Sequence, residues 1–235
     1  TESVFLCAVV DALEGRCVAV ADVPGAFLQT DQPLDEKVHI RLTGIMVDLL
    51  LKIDPEMYGP YVGYEGKEKV MYLELLKALY GTLRAARLFW ENLSGKLRGW
   101  GFEPNPYDSC VMNKTINGKQ CTVGWHVDDV RVSHIDPLVV DEIIGLMSAE
   151  FGKEAPLTVS KEKVHEYLGM QFDFSEKGAV TIDMIDYVKT VISEMPEDMV
   201  GKAPTPAANH LFDIREEPVK IDQEKADTFH KMVMQ

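Results

Sequence analysis

Gln120-Cys-Thr-Val-Gly-Trp-His-Val-Asp-Asp-Val-Arg-Val-Ser-His134 is the stretch on which the reading of this chain turns. Cys121, Val123 and Trp125 alternate with small or polar residues on one side of His126-Val127-Asp128-Asp129. Val130 and Val132 alternate with Arg131 and Ser133 on the other. Period two on both flanks predicts two strands joined by a tight hairpin. Two adjacent aspartates at such a turn repel each other unless a cation offsets them. A hard divalent ion such as Mg2+, held by one or two carboxylates plus phosphate oxygens, would do so. The plainer reading is a polar turn that uses Asp as a turn former.

Working outward, Arg16-Cys-Val-Ala-Val-Ala-Asp22-Val-Pro-Gly-Ala-Phe27-Leu-Gln is an apolar strand that ends on one aspartate. Asp22 alone could simply terminate a strand. If the two stretches are neighbours in one sheet, Asp22 meets Asp128 and Asp129. Three such carboxylates suit a pair of metal ions about 3.5–4 Å apart, the arrangement of polymerases, nucleases and phosphatases.

Asp22-Val-Pro-Gly-Ala-Phe-Leu-Gln29 and His126-Val-Asp-Asp129 resemble the aspartate strand and the "YVDD" box of copia-type (Ty1/copia, Pseudoviridae) retrotransposon reverse transcriptases. Ala78-Leu-Tyr-Gly81-Thr-Leu-Arg-Ala-Ala-Arg87-Leu-Phe-Trp90 resembles that family's "SLYGLKQAPRQWY" segment. Tyr167-Leu-Gly169-Met-Gln-Phe172 resembles its "YFLGIEI" segment, and Asn105 to Cys110 its "DPC" segment. Any one of these is weak; the first four named, in the family's order from Asp22 to Phe172, make a strong match, and the resemblance covers nearly all of the chain. The pattern departs from the family at Ala86, which replaces a proline, at Leu83-Arg84, which replace Lys-Gln, and at His126, which replaces the tyrosine of the box.

The resemblance implies an α+β polymerase right-hand fold, with a split β-α-β palm, partial fingers and the start of a thumb. It implies fingers and palm over 1–165, with N-terminal fingers truncated, then a primer-grip hairpin and first thumb helix over 166–200. A linker toward an RNase H region would follow over 201–235. The implied activity is RNA-directed DNA polymerisation: Asp22, Asp128 and Asp129, with the Val23 carbonyl, hold two Mg2+ ions, for which Mn2+ could substitute. Phe27 would lie under the incoming sugar, where a ring rejects a ribose 2′-hydroxyl by collision. Tyr80 and Gly81 would lie against the nascent base pair, where glycine allows close backbone approach. Arg84 and Arg87 would contact template phosphates or the triphosphate, or else sit on a solvated helix face. His126, Tyr167, Leu168 and Gly169 would contact the primer. One of Lys153, Lys161 and Lys163 could protonate pyrophosphate. The implied partners are an RNA or DNA template with primer, dNTPs, and the integrase and RNase H regions of a polyprotein, within a cytoplasmic virus-like particle. An inactive transposon-derived fragment that keeps only nucleic-acid binding is the alternative. Without the family, a generic Mg2+-dependent phosphohydrolase also fits the carboxylates.

Length and composition bound these readings. The chain has 235 residues, 46% of them apolar, enough for a sizeable core. No run of about 18 apolar residues occurs, so no membrane span is expected. Four scattered cysteines without a Cys-x-x-Cys pair argue against a zinc site or a disulfide framework and fit a reducing compartment. The chain opens near the first motif without an initiating Met, so a piece of a longer polyprotein is expected. The net charge of −14 runs against a polynucleotide binder, although residues 60–119 carry a local excess of +3.

Periodicity predicts a helix over Glu2–Leu13 stopped by Gly15, and a strand over Val38–Leu42. It predicts a helix over Ile45–Ile53 that leads into a Pro/Gly/Tyr-rich loop, and a strand from Val70. A second long helix has Leu83, Ala86, Trp90, Leu93 and Leu97 as its core stripe. Asn117-Gly118 reads as a hairpin turn. Asp136-Pro137 caps a helix whose core face is Val140, Ile143 or Ile144, Met147 and Phe151, stopped by Gly152. Tyr167–Phe174 and Val180–Ile182 read as another hairpin. Ile185, Val188, Ile192 and Met195 lie at helical spacing before Pro196.

Overall fold

The computed structural model describes residues 2–194, Pro204, Asp213 and 220–233. The chain divides into two compact units, one of Thr1–Leu168 with Phe172–Thr181, the other of Gly169–Gln171 with Ile182–Gln235.

The first unit opens with helix α1 (Glu2–Glu14) and strand β1 (Cys17–Asp22). Gly15 ends the helix at φ +63°, a conformation glycine adopts without penalty. After a single turn at Ala26–Gln29 come β2 (His39–Thr43), α2 (Ile45–Ile53), the short α3 (Pro55–Tyr58), β3 (Val62–Glu65) and β4 (Glu68–Glu74). β4 lies between β2 and β3 in a three-stranded antiparallel sheet. The segment expected as a loop after Ile53 therefore contributes an edge strand. Its signal, Val62-Gly-Tyr-Glu65, is too short to show a period.

Next come α4 (Ala85–Gly99), β5 (Glu103–Pro104), β6 (Val111–Ile116), β7 (Lys119–His126), β8 (Asp129–His134), α5 (Pro137–Phe151) and β9 (Thr158–Ser160). The strands form a six-stranded sheet of order β5-β6-β7-β8-β1-β9. Alternation sorts its faces. Ala19, Ala21, Cys121, Val123, Trp125, Val130 and Val132 turn to the core, against residues of α4 and α5. Thr122, His126, Asp129, Arg131, Ser133 and Asp22 occupy the alternate positions and take the other face. Asp136 caps α5 through the Leu138 amide with Pro137 at its first position, and Val140, Ile143, Ile144, Met147 and Phe151 are buried, as the sequence predicts.

The stripe expected on α4 holds at Leu93 and Leu97 and, half-buried, at Trp90, but fails at its N-terminal end. Leu83 lies before the helix and is fully exposed, and Ala86 is exposed. The buried face is Ala85, Leu88, Phe89, Leu93, Ser94 and Leu97. Two overlapping three/four spacings compete in this segment, and the helix begins at Ala85, which selects the second.

β10 (Val164–Tyr167), β11 (Met170–Asp173), β12 (Thr181–Asp183) and α6 (Ile185–Ser193) follow. Leu168 and Gly169, at φ +53° and +71°, form the turn between β10 and β11. Two left-handed central residues are the hairpin form whose twist matches its strands. α6 buries no residue. Met195 and Pro196 lie outside the described residues. The stretch expected as a linker carries helix α7 (Gln223–Val233), and most of 201–219 lies outside the described residues. Among the described residues no helix is long and apolar enough to cross a membrane.

Candidate active site

Backbone register brings the aspartates together. Asp22 ends β1, Asp129 opens β8, and the two are directly opposed in the antiparallel pair. Opposed residues share one face, with their Cβ atoms about 4.5–5.5 Å apart. Val127 and Asp128 form the loop between β7 and β8. Val127 takes φ +56°, a left-handed conformation that costs a β-branched residue on the order of 1–2 kcal/mol. The Val23 amide donates to the Asp128 carbonyl at 3.1 Å, which ties the end of β1 to this turn.

The three carboxylates feel one another. Partial burial raises the pKa of Asp22, and the charge on Asp128 adds to it. Asp129 is raised by burial first, then by Asp128 and Asp22, with His126 pulling the other way. No lysine or arginine is among the groups that shift either residue. Tyr80, 64% exposed, donates its hydroxyl to Asp128 Oδ2 at 3.3 Å. Burial and the Asp128 charge raise the phenol's pKa, which keeps it protonated as a donor.

All these donors are oxygens, so the set suits a hard divalent cation in kind, and mutual repulsion is what such an ion would relieve. Among the described residues no three His, Cys, Asp or Glu side chains are grouped closely enough to hold a metal. One or two carboxylates completed by substrate phosphate and water would be the fitting mode for Mg2+.

The other expected site residues fall differently. Phe27 is 5% exposed, with its ring 4.3 Å from Tyr80 and 6.4 Å from Phe89 between centroids. It backs Tyr80 from the core. Gly81 is exposed at φ +87°. Arg84 pairs with Glu36, and Arg87 with Glu91 at 2.9 Å. Lys69, Lys77 and Lys96 are likewise paired, with Asp48, Asp31 and Glu150. The local excess of positive charge in 60–119 is thus largely offset by partners, most of them outside that window. His126 is exposed and opposite Asp129. Tyr167 is buried against Phe172, and burial raises its pKa, so its ring presents no surface to a primer. Leu168 and Gly169 form the adjoining turn. Lys153 lies 4.0 Å from Glu150, and Lys161 pairs with Asp141.

Sequence reasoning missed a buried charge cluster further along the polar face of the sheet. Asp11 of α1 pairs with Arg131 of β8 and lies 3.7 Å from Arg16, which also donates to Thr122 at 3.1 Å. The signal was available in Arg131, a charge in mid-strand between Val130 and Val132, on the same face as Asp129.

Residues 1–207 match the family described as reverse transcriptase (RNA-dependent DNA polymerase). The chain belongs to this family, in its copia-type branch. The family uses divalent metal ions and binds nucleic-acid templates. A Saccharomyces cerevisiae transposon protein, Ty5-1 protein YCL074W, is 22% identical over 136 residues, 58% of this chain. The match spans only 42% of that protein's length. Among solved structures, apo telomerase from Candida tropicalis aligns at TM-score 0.41 and 10% identity, over 78% of this chain and 36% of that one. Candida albicans telomerase, solved with a fragment of telomeric RNA, aligns at 0.39 and 9%, over 78% and 35%. At these scores the likeness is too loose to define a shared fold.

Proposed function

We propose that this chain is the RNA-directed DNA polymerase domain of a copia-type retrotransposon polyprotein, transferring nucleotides from dNTPs to a primer 3′-hydroxyl. The observation that carries the reading is the opposed pair Asp22 and Asp129, with Asp128 in the adjoining turn. Asp22, Asp128 and Asp129, with the Val23 carbonyl, are the groups that would hold Mg2+. Two bound ions would lower the pKa of the primer hydroxyl and neutralise the triphosphate and the leaving pyrophosphate. The protein's own share is positioning and electrostatics, which dominate phosphoryl transfer. The Val23 amide fixes the turn, Tyr80 orients the Asp128 carboxylate, and Phe27 supports Tyr80 from behind. His126 stands beside Asp129, where a primer end would stack on or hydrogen-bond to it.

In this reading the six-stranded sheet with α4 and α5 is the palm, and the β2-β4-β3 sheet with α2 is the fingers. The primer grip and thumb start within 166–200, and 201–235 leads toward an RNase H region. The working compartment would be the cytoplasmic particle that holds the template. Recognition would be of backbone and hybrid shape, since an RNA–DNA duplex is read mainly in that way.

The second reading is an inactive domain that keeps only nucleic-acid affinity; the exposed pairs Arg84–Glu36 and Arg87–Glu91 are weak and do not decide between the two. Primer extension on poly(rA)/oligo(dT) with Mg2+ separates the two. Extension that disappears in Asp128→Asn supports the polymerase. No extension with hybrid binding retained favours the inactive domain. Neither extension nor binding overturns both.

A further inference from the structure

The single turn Ala26–Gln29 carries Phe27, and the Phe27 ring backs Tyr80. So short and tight a turn has little stability of its own, because its hydrogen-bond geometry is poor. Gly25 opens it at φ +60° and supplies no side-chain cap. Groups outside the turn must hold it.

The Gln29 side chain, half-buried, does so. Its Nε2 donates to the Pro24 carbonyl at 2.9 Å and to the Phe151 carbonyl at 2.8 Å. Both acceptors are carbonyl oxygens, so only the NH2 end of the amide can meet them, and both of its protons are used. The first bond closes the turn on the segment that leads into it. The second fastens the turn to the end of α5, where the last carbonyls have no partner within the helix. Asn92 of α4 grips the next residue, its Nδ2 donating to the Thr30 hydroxyl at 3.1 Å. The Thr30 carbonyl accepts from the Ala78 amide at 2.9 Å, and the Gln32 amide donates to the Leu76 carbonyl at 2.9 Å. Gln29 therefore stands where two arms of the site join, one carrying Phe27 and the other leading into Tyr80. Asp22 and Asp129 are placed independently of it, by the register of β1 on β8.

We infer that Gln29 is a positioning residue: it holds the Phe27 ring behind Tyr80 and so fixes the exposed Tyr80 ring beside Asp128, where an incoming nucleotide would meet it. The nucleotide part of this inference rests on the polymerase reading; the placement of the ring does not. The sheet sets the carboxylates and the turn sets Tyr80. Loss of the Gln29 amide therefore acts on nucleotide capture and spares the chemical step. A merely structural loss would do the reverse, lowering the active fraction and hence the apparent kcat while leaving KM alone.

Gln29→Met keeps the length of the side chain and loses both donors. In primer extension by the full chain on poly(rA)/oligo(dT), its KM for dTTP should rise about three- to tenfold, with kcat within about twofold of wild type. Val140→Ala, on α5 where it shares a cavity with Cys17 and Val18 at the other end of β1, should lower stability without moving KM. A second readout needs no activity. The NMR signals of the Tyr80 ring, displaced by the Phe27 ring 4.3 Å away, should move toward those of a free tyrosine in Gln29→Met and stay in place in Val140→Ala. An unchanged KM with lowered kcat, or unmoved Tyr80 signals in folded Gln29→Met, would overturn the assignment. If the wild type extends no primer, the polymerase reading falls and the ring signals decide the role of Gln29. If Gln29→Met fails to fold, the wild-type chain decides: the Gln29 side-chain NH2 protons should exchange with solvent at least about tenfold more slowly than those of a free glutamine, and exchange at the free rate would overturn the assignment.

Discussion

Phe89 is the residue whose removal tests the packing behind the carboxylate site most directly. It sits on α4 at 1% exposure, with its ring 6.4 Å from Phe27 and 5.9 Å from Phe151, both edge-on. Phe27 in turn lies 4.3 Å from Tyr80, the side chain that reaches Asp128. Phe89→Ala should cost about 3–5 kcal/mol, the usual range for emptying a buried phenylalanine site. Each edge-on ring pair accounts for about 0.5–1.5 kcal/mol of this. Phe89→Leu keeps most of the volume and loses the ring pairs, so it should cost about 1–3 kcal/mol by the same figures. For a domain of this size each kcal/mol moves Tm by roughly 2–4 °C, so Phe89→Ala should melt about 6–20 °C lower. Urea and thermal unfolding of the full chain, followed by circular dichroism, measure both variants. Primer extension should fall in Phe89→Ala before global unfolding, because Phe27 and Tyr80 lose their backing. A loss under about 1 kcal/mol in Phe89→Ala would refute the reasoning, and Phe89→Leu at wild-type stability would remove the ring pairs from it.

Three further outcomes are expected. Tyr80→Phe keeps the contact with Phe27 and loses only one exposed hydrogen bond, so stability should change by less than about 0.5 kcal/mol, and extension should fall about two- to tenfold as Asp128 loses its orienting donor; Tyr80→Ala, which also removes the ring, should reduce it further. Arg131→Met leaves Asp11 buried without its closest cation and should cost about 3–5 kcal/mol, whereas Asp11→Leu/Arg131→Met should cost far less than the two single changes added; strict additivity in urea midpoints would contradict the pairing. Burial, then Arg131, holds His165 below its usual 6.5, with Glu162 opposing. The unfolded chain therefore takes up a proton that the native chain resists, and stability should fall as pH drops from about 7 to about 5. His165→Gln should flatten that slope, and an unchanged slope would assign it to other groups.

The chain's own order of residues determined more of the fold than of the site. Strong period-two and three/four patterns, with punctuation at Gly15, Asn117-Gly118, Asp136-Pro137 and Gly152, announce α1, β6 to β8 and α5, because each of those signals is local. Asp22, Asp128 and Asp129 were legible as candidates because acidic residues at strand ends break an apolar pattern. The β3 strand was not legible, since four residues carry no measurable period. The α4 stripe was right at Leu93 and Leu97 and misplaced at Leu83 and Ala86, because only packing could choose between two spacings that both fit.

The tertiary structure decided which distant residues meet. Register places Asp22 opposite Asp129 and sets Arg131 beside Asp11 and Arg16, and packing gives Arg84 the distant partner Glu36. It also buries Tyr167 and Phe27, which sequence could place in strands or turns but not inside or outside. Periodicity tells a residue which side of its own element it faces. What lies on that side, and whether a charge there is free or already paired, depends on contacts between elements far apart in the chain, and no local pattern encodes them.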